Sequence, residues 1–162
     1  MPKVFVGVGS NIDRERSVRA GVADLRARYG ELQVSSVYES DAVGFEGDAF
    51  YNLVVAFDTE ASVDEVVVSL ADIEDCHGRV RNGERFAART LDMDLLLYGD
   101  AILKTGSYHV PRDEIPRYAF VLWPLAEIAP ELHHPENGER YSDMWENFNK
   151  RIQVLRPIVF KW

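Results

Sequence analysis

Cysteine is nearly missing from this sequence. Cys76 stands alone among 162 residues, which excludes an internal disulfide framework and a cysteine-based zinc site and points to a reducing compartment, the cytoplasm. Long apolar runs are missing too. None approaches the ~20 residues that a membrane helix needs. Met1-Pro2-Lys3 leads straight into an alternating segment with no apolar stretch of signal-peptide type, so no membrane partner is expected. Positive charge is scarce: 18 Lys and Arg face 27 Asp and Glu, a net charge of −9, which argues against general binding to nucleic acid. No internal repeat, low-complexity tract or Pro/Ser-rich linker divides the chain, so residues 1–162 read as one domain. A domain of this size buries roughly 70% of its unfolded surface without cross-links. The G-x-x-x-x-G-K-[ST] signature is absent, excluding a P-loop enzyme, and Gly7-Val8-Gly9 opens like a dinucleotide fingerprint but lacks the third glycine.

What is present is the patterning of an α+β domain. Lys3 to Ser10 alternates as a strand, with Val4, Val6 and Val8 on one side and Phe5, Gly7 and Gly9 on the other. Asn11 is a candidate N-cap for a helix over about Arg14–Tyr29, with the stripe Val18, Val22, Leu25, Tyr29 and with Gly30 as its stop. Leu32–Glu39 and Phe50–Asp58 have the Val, Tyr and Phe content of strands, and Gly44 and Gly47 mark a loop between them. Ser62-Val63-Asp64-Glu65 has capping-box spacing, Val63, Val66, Val67, Leu70 and Ile73 form an inner helical face, and Gly78 ends that helix. A strand follows over Leu91–Tyr98. Short helices are expected near Asp113–Tyr118, Val121–Ala129 and Tyr141–Asn149, then a short strand from Ile152. Pro124 suits the second of these helices only in a first turn. The order β-α-β-β-α-β is the ferredoxin-like plan, an antiparallel sheet with helices packed on one face.

The densest chemical signal runs from Gly78 to Asp94. Arg79, Arg81, Arg85 and Arg89 fall within eleven positions of an acidic protein, and arginine offers a planar fork of donors matched to phosphate oxygens. A solvated loop whose arginines pair with Glu84 or Glu74 accounts for the run equally well by itself. Asp92 and Asp94 change that balance. Two residues apart on a strand, they share a face about 6.6 Å apart, with Leu91, Met93, Leu95 and Leu97 opposite them as an apolar row. Adjacent carboxylates repel unless a cation or donors intervene, and Mg²⁺ commonly takes one or two carboxylates, filling its octahedron with water and substrate phosphate. Glu74, four residues after Leu70 on the inner face of its helix, needs a partner there: one of the arginines, or a magnesium-bound nucleotide. Cys76-His77 reads as incidental, and His133-His134 as a surface pair. Phe50, Tyr51, Phe120 and Trp123 are core aromatics by default, with room for one or two to flank a flat heterocycle.

Several segments together carry a family resemblance. Gly9-Ser10-Asn11 follows the first strand, Phe50-Tyr51-Asn52 opens the third, and the arginine run closes in Arg89-Thr90-Leu91-Asp92-Met93-Asp94. With Ala119-Phe120-Val121-Leu122-Trp123-Pro124-Leu125-Ala126-Glu127-Ile128-Ala129-Pro130, they resemble the 6-hydroxymethyl-7,8-dihydropterin pyrophosphokinase family over roughly residues 3–135. The resemblance implies a ferredoxin-like α/β sandwich and transfer of the β,γ-diphosphate of ATP to a pterin hydroxymethyl group in folate biosynthesis, releasing AMP. It implies that Asp92 and Asp94 hold two Mg²⁺ ions and that Arg79 and Arg89 are catalytic with them. Glu74, Arg81 and Arg112 join Arg79 and Arg89 at the ATP site. Ser40, Val43, Phe50, Asn52, Phe86 and Phe120 form the pterin site, with Phe50 and Phe120 on either side of the ring and Asn52 at its edge. The chain departs from the family pattern in having Ser40-Asp41 for Thr-Pro, Ala71 for a polar residue and Phe86 for a tryptophan. Arg112 replaces a histidine after Pro111, and Tyr118 replaces an arginine two residues before Phe120.

The partners so implied are ATP and a pterin, for a monomer or weak homo-oligomer. The alternatives are a paralogue acting on another pterin-like alcohol, a non-catalytic pterin- or nucleotide-binding module, and an interaction domain whose arginine run meets an acidic partner. Asp92, Asp94, Arg79 and Arg89 together favour an enzyme, because neither non-catalytic reading requires all four.

Overall fold

A computed structural model describes residues 1–41, 49–77 and 91–162. Strand β1 (Lys3–Ser10) is buried along nearly its whole length, as its unbroken small and apolar content demands. It runs antiparallel to β4 (Phe50–Asp58) on one side and to β5 (Asp92–Tyr98) on the other. Beyond β4 lies β3 (Val37–Ser40), then β8 (Leu155–Ile158), giving the order β5-β1-β4-β3-β8, with β2 (Gln33–Val34) also paired to β4. A separate small hairpin joins β6 (Leu103–Lys104) to β7 (His109–Val110).

Helices cover both faces of the sheet, where the ferredoxin-like plan predicts only one. On the first face, α1 (Arg14–Tyr29) and α2 (Val63–Cys76) lay Val18, Val22, Leu25, Val66, Leu70 and Ile73 against Val4, Val6, Val55 and Met93. On the second, α3 (Ala119–Ile128) and α4 (Tyr141–Glu146) lay Val121, Leu122, Leu125 and Tyr141 against Phe5, Val54, Ala56 and Leu97. The physical reason is in the strands: apolar residues occupy both parities of β1 and β4, and a sheet that is apolar on both sides must be covered on both. Among the described residues, no helix is long and apolar enough to cross a membrane.

The local signals hold where backbone chemistry is self-contained. The capping box of α2 forms, Ser62 Oγ accepting from Glu65 N at 3.2 Å while Ser62 N donates to Glu65 Oε1 at 3.2 Å. Helix α2 stops at Cys76 with His77 at its C-cap, while Gly78 lies outside the described residues. Helix α1 spans the expected residues, but its N-cap position is Asp13, left-handed at φ 42°, and Asn11 is buried two residues upstream.

The strand expected over Leu32–Glu39 is split. Val34 pairs with Val55 but Tyr38 with Asn52, so one extra residue is accommodated between β2 and β3. Ser35 Oγ accepts from Val54 N at 2.9 Å in that gap. In β5 the register shifts where β1 passes from Phe5 to Val6. Leu97 consequently joins Phe5 on the second face and leaves the row of Leu91, Met93 and Leu95. Asp113–Tyr118 forms a series of turns, not a helix, since Pro116 has no amide to continue one. Pro124 sits in the second turn of α3, deeper than expected, and α4 ends at Glu146, short of Asn149.

The tail after Pro135 packs on the chain's own core. Trp145 stacks on Trp123 at 4.8 Å, Phe160 meets Tyr51 at 6.1 Å, and β8 extends the sheet. His134, expected on the surface, is buried, its Nδ1 accepting from Glu136 N at 3.1 Å. That backbone contact closes the turn before α4.

Candidate functional site

A cavity of about 320 Å³ opens on the second face of the sheet, between the strands and the N-terminal end of α3. Its floor is a consequence of β1. Gly7 and Gly9 are both on the cavity side, and with no side chains they leave a trough across the middle of the sheet. The close approach is real at Gly9, where a Cβ would come within 3.0 Å of Asn52 Oδ1.

Strand register then sets the order of groups along that trough. Gly9 lies opposite Asp92 on β5 and opposite Asn52 on β4. Gly7 lies opposite Asp94 and Val54. With neighbouring strands ~4.8 Å apart, the aspartates of β5 are about 10 Å across the sheet from the strand that carries Asn52. One end of the cavity is therefore acidic and the other polar-aromatic.

At the second end, Asn52 and Ser40 are both buried, and Asn52 Nδ2 donates to Ser40 Oγ at 2.8 Å. That bond orients the carboxamide, leaving its oxygen for the trough. Phe50, in register with Ser40, and Phe120 from α3 line the same cavity, as does Asp41. Phe120 is stacked on Tyr118 at 5.2 Å and an interplanar angle of 22°. Of the four aromatics weighed from sequence, Phe50 and Phe120 reach the cavity. Tyr51 turns to the other face beneath the Arg14 guanidinium, and Trp123 packs against Tyr38 and Trp145.

At the acidic end, Asp92 and Asp94 share the cavity face as their two-residue spacing predicts, with Met93 pointing into the opposite core. Burial pushes the Asp94 carboxyl up to about 6; Arg112 opposes the rise, and Asp92, Glu114 and Glu74 add to it. Arg112 Nη2 stands 3.6 Å from Asp94 Oδ1 and 3.0 Å from Glu114 Oε1. Burial works against the charge of this guanidinium, but the carboxylates of Asp94 and Glu114 outweigh it and raise the Arg112 pKa. Glu74 is buried on α2, and its Oε2 accepts from Met93 N at 3.0 Å. It thus braces the open edge of β5 between the two aspartates without lining the cavity itself.

The structure brings Ser40, Phe50, Asn52, Asp92, Asp94, Arg112 and Phe120 around one cavity. Val43, Arg79, Arg81, Phe86 and Arg89 lie outside the described residues. Glu114 was not singled out from the sequence, and only its place two residues after Arg112 hinted at it. The glycine alternation of β1 was a readable signal for a trough, because same-face glycines on a buried strand leave space beside their neighbours.

A sheet with a glycine-floored trough, acidic at one end and aromatic and amide-lined at the other, defines a small-molecule site for a ligand with a charged part and a flat part. Residues 5–130 match the family model described as 7,8-dihydro-6-hydroxymethylpterin-pyrophosphokinase (HPPK), and the chain belongs to that family. It is 37% identical over 138 residues to the 2-amino-4-hydroxy-6-hydroxymethyldihydropteridine pyrophosphokinase of Pseudomonas aeruginosa, covering 83% of this chain and 85% of that one. The Bacillus subtilis enzyme of the same name is 38% identical over 132 residues, covering 79% and 78%. In fold, the chain is similar to a Plasmodium falciparum HPPK-DHPS solved with pteroate, at a TM-score of 0.68 and 13% identity. That match covers 93% of this chain and 43% of the other, supporting the ferredoxin-like α+β architecture.

Proposed function

We propose that this chain transfers diphosphate from ATP to the hydroxymethyl group of 6-hydroxymethyl-7,8-dihydropterin, forming AMP and the pterin diphosphate in folate synthesis. The observation that carries this reading is the joining of two sites by strand register. The Asp92–Asp94 pair and the Asn52–Ser40 pair lie on one cavity floor, a separation suited to a diphosphate at one end and a heterocycle at the other. In the transfer, the pterin hydroxyl oxygen bonds to the β-phosphorus, the bond from that phosphorus to the α–β bridging oxygen breaks, and AMP leaves with that oxygen. The hydroxyl proton departs, with the Asp94 carboxylate as the candidate acceptor.

Asp92 and Asp94 fit hard divalent cations. They are side-by-side oxygen donors, and the acidity gathered around Asp94 is what a cation would relieve. Among the described residues no group of three or more His, Cys, Asp or Glu could hold a metal by itself. Mg²⁺ takes one or two carboxylates, such as this pair, and fills its remaining positions with water and substrate phosphate. Two such ions, once bound with ATP, would neutralise phosphate charge and polarise the attacked phosphorus. The chain's own part is positioning: Glu74 holds β5 in place, Asn52 presents its amide edge, and Phe50 and Phe120 offer ring faces. Such transfer depends on orientation and charge neutralisation more than on covalent chemistry.

We read Arg79, Arg81, Arg89 and Arg112 as the phosphate side, and Val43 and Phe86 as part of the pterin side. The chain acts as a single domain over residues 1–162, a cytoplasmic monomer or weak homo-oligomer. The test is AMP formation with saturating ATP and Mg²⁺ and varied 6-hydroxymethyl-7,8-dihydropterin. Saturable AMP release is the expected result. Folded protein that releases no AMP overturns the reading and turns attention to other pterin-like alcohols, which the changes at Arg112 and Tyr118 favour as the second reading.

A further inference from the structure

We propose that Arg112 is a tethered cation that occupies the metal's place beside Asp94 until nucleotide arrives, so that the nucleotide-free protein binds free divalent metal weakly. The inference rests on the reading of Asp94 as a metal ligand. Among the described residues lining the cavity, Arg112 is the only cation. Its guanidinium is shared unequally between carboxylates on two different elements. Nη2 is 3.0 Å from Glu114 Oε1, a hydrogen bond, but 3.6 Å from Asp94 Oδ1, an ion pair without one.

Three features make the Asp94 contact releasable. Glu114 is two residues from Arg112 on the same segment and already accepts its hydrogen bond, so a counter-ion stays within reach when the guanidinium turns away from Asp94. The Arg112 amide donates to Leu96 O at 2.9 Å, which anchors the backbone to β5 two residues past Asp94. A side-chain rotation is then enough, with no shift of the chain. Finally, Arg112 Nε is buried with no hydrogen-bond partner. A guanidinium in its final setting spends that donor, because a buried unsatisfied N–H is costly. The nearby phosphate of a bound nucleotide offers the missing acceptor.

The electrostatic consequence follows from signs alone. A divalent ion approaching Asp94 in the absence of nucleotide meets a positive guanidinium at the same carboxylate, and the two repel. ATP phosphates attract both, so the repulsion is lifted when metal and nucleotide enter together. Metal and nucleotide therefore bind with stronger mutual dependence than two aspartates alone would produce. A merely structural ion pair, fastening the segment after β7 to β5, would lower stability when broken and leave that dependence unchanged.

The experiment titrates manganese(II) into the protein, with and without the non-hydrolysable analogue α,β-methylene-ATP, and counts free manganese by its paramagnetic resonance signal. In Arg112→Gln the manganese affinity without nucleotide should rise about tenfold, the scale expected for removing one like charge at partly screened contact distance. The gap between affinities with and without nucleotide should narrow, and Arg112→Lys should stay near wild type. Arg112→Met serves if the glutamine variant does not fold. Unchanged or weaker manganese binding in the folded neutral variants overturns the proposal. Asp94→Asn separates this from the reading beneath it. If that variant loses manganese binding while Arg112→Gln is silent, only the role of Arg112 falls. If Asp94→Asn binds manganese like wild type, the metal reading falls and takes the proposal with it.

Discussion

On β1, Val4, Val6 and Val8 face α1 and α2, whereas Phe5, Gly7 and Gly9 face the side that carries α3. On β5, Met93 and Leu95 belong to the first face, with Leu91 just before the strand, and Asp92 and Asp94 to the second. The first face is filled by apolar side chains along Val4, Val6 and Val8. The second is filled beside Phe5, where α3 and α4 pack, and hollow beside Gly7 and Gly9. The same strands, offset by one residue, thus build a core and a binding site. Side-chain volume at alternating positions decides which face is hollow, and a rigid packed face behind it holds the hollow in shape.

The comparison can be broken or sharpened by substitution, and the largest effect belongs to the acidic end. Asp92→Ala and Asp94→Ala should each lower turnover by about a thousandfold, roughly 4 kcal/mol of transition-state stabilisation, with an unchanged circular dichroism spectrum. Turnover near wild type in the AMP assay would separate the acidic end from the chemistry. Next is Val6→Ala on the filled face, fully buried in the wild type. It should cost about 2 kcal/mol in a denaturant melt, through lost transfer energy and a residual cavity, with the pterin KM unchanged.

Gly9→Ala is the matching change on the hollow face. Its new methyl would press on Asn52 Oδ1 at 3.0 Å and should raise the pterin KM about tenfold, roughly 1.4 kcal/mol, at little cost in stability. A KM left at its wild-type value would mean that Asn52 does not meet the pterin.

The smallest effect concerns pH. In metal-free protein the Asp94 carboxyl is raised from its ordinary 3.8 to about 6. Between those values the folded state holds a proton that the unfolded state has released, so stability falls as pH rises through that window. Asp94→Asn removes the titration, so its stability relative to wild type should climb from pH 4 to pH 7. With the side chain 44% exposed, solvent screening limits the gain to on the order of 1 kcal/mol. Thermal melts of both proteins across that range test it, and a flat difference would count against the raised value.

Much of the site was readable because its signals are local. The i, i+2 spacing of Asp92 and Asp94 dictates a shared face on any strand, and the Ser62–Glu65 box dictates a helix start. Ser40 and Asn52 needed more: their hydrogen bond exists because β3 and β4 are in a register that brings them together. Arg112, expected at the nucleotide side, is held between its near neighbour Glu114 and Asp94 on β5, and the contact with Asp94 joins two separate segments of the chain. Pairings of that kind have no periodic signature. The one-face expectation failed for a related reason: α3 and α4 lie outside the β-α-β-β-α-β pattern, and their docking surface was written in the second parity of β1 and β4. The tail's packing likewise depended on aromatic contacts, Trp145 on Trp123 and Phe160 on Tyr51, between residues remote in sequence.

By itself the sequence determined β1, α1, β4, α2 and β5, the acidic strand pair, the arginine run from Arg79 to Arg89 and the family, because period, spacing and ordered motifs are properties of short stretches of chain. Only the tertiary structure decided that the trough over Gly7 and Gly9 joins the aspartates of β5 to Asn52 of β4, that Glu74 braces β5 at Met93, and that Arg112 stands against Asp94. Each of these requires two distant segments to meet at ångström range, and strand register and helix docking, set by burial on both faces of the sheet, are what bring them there.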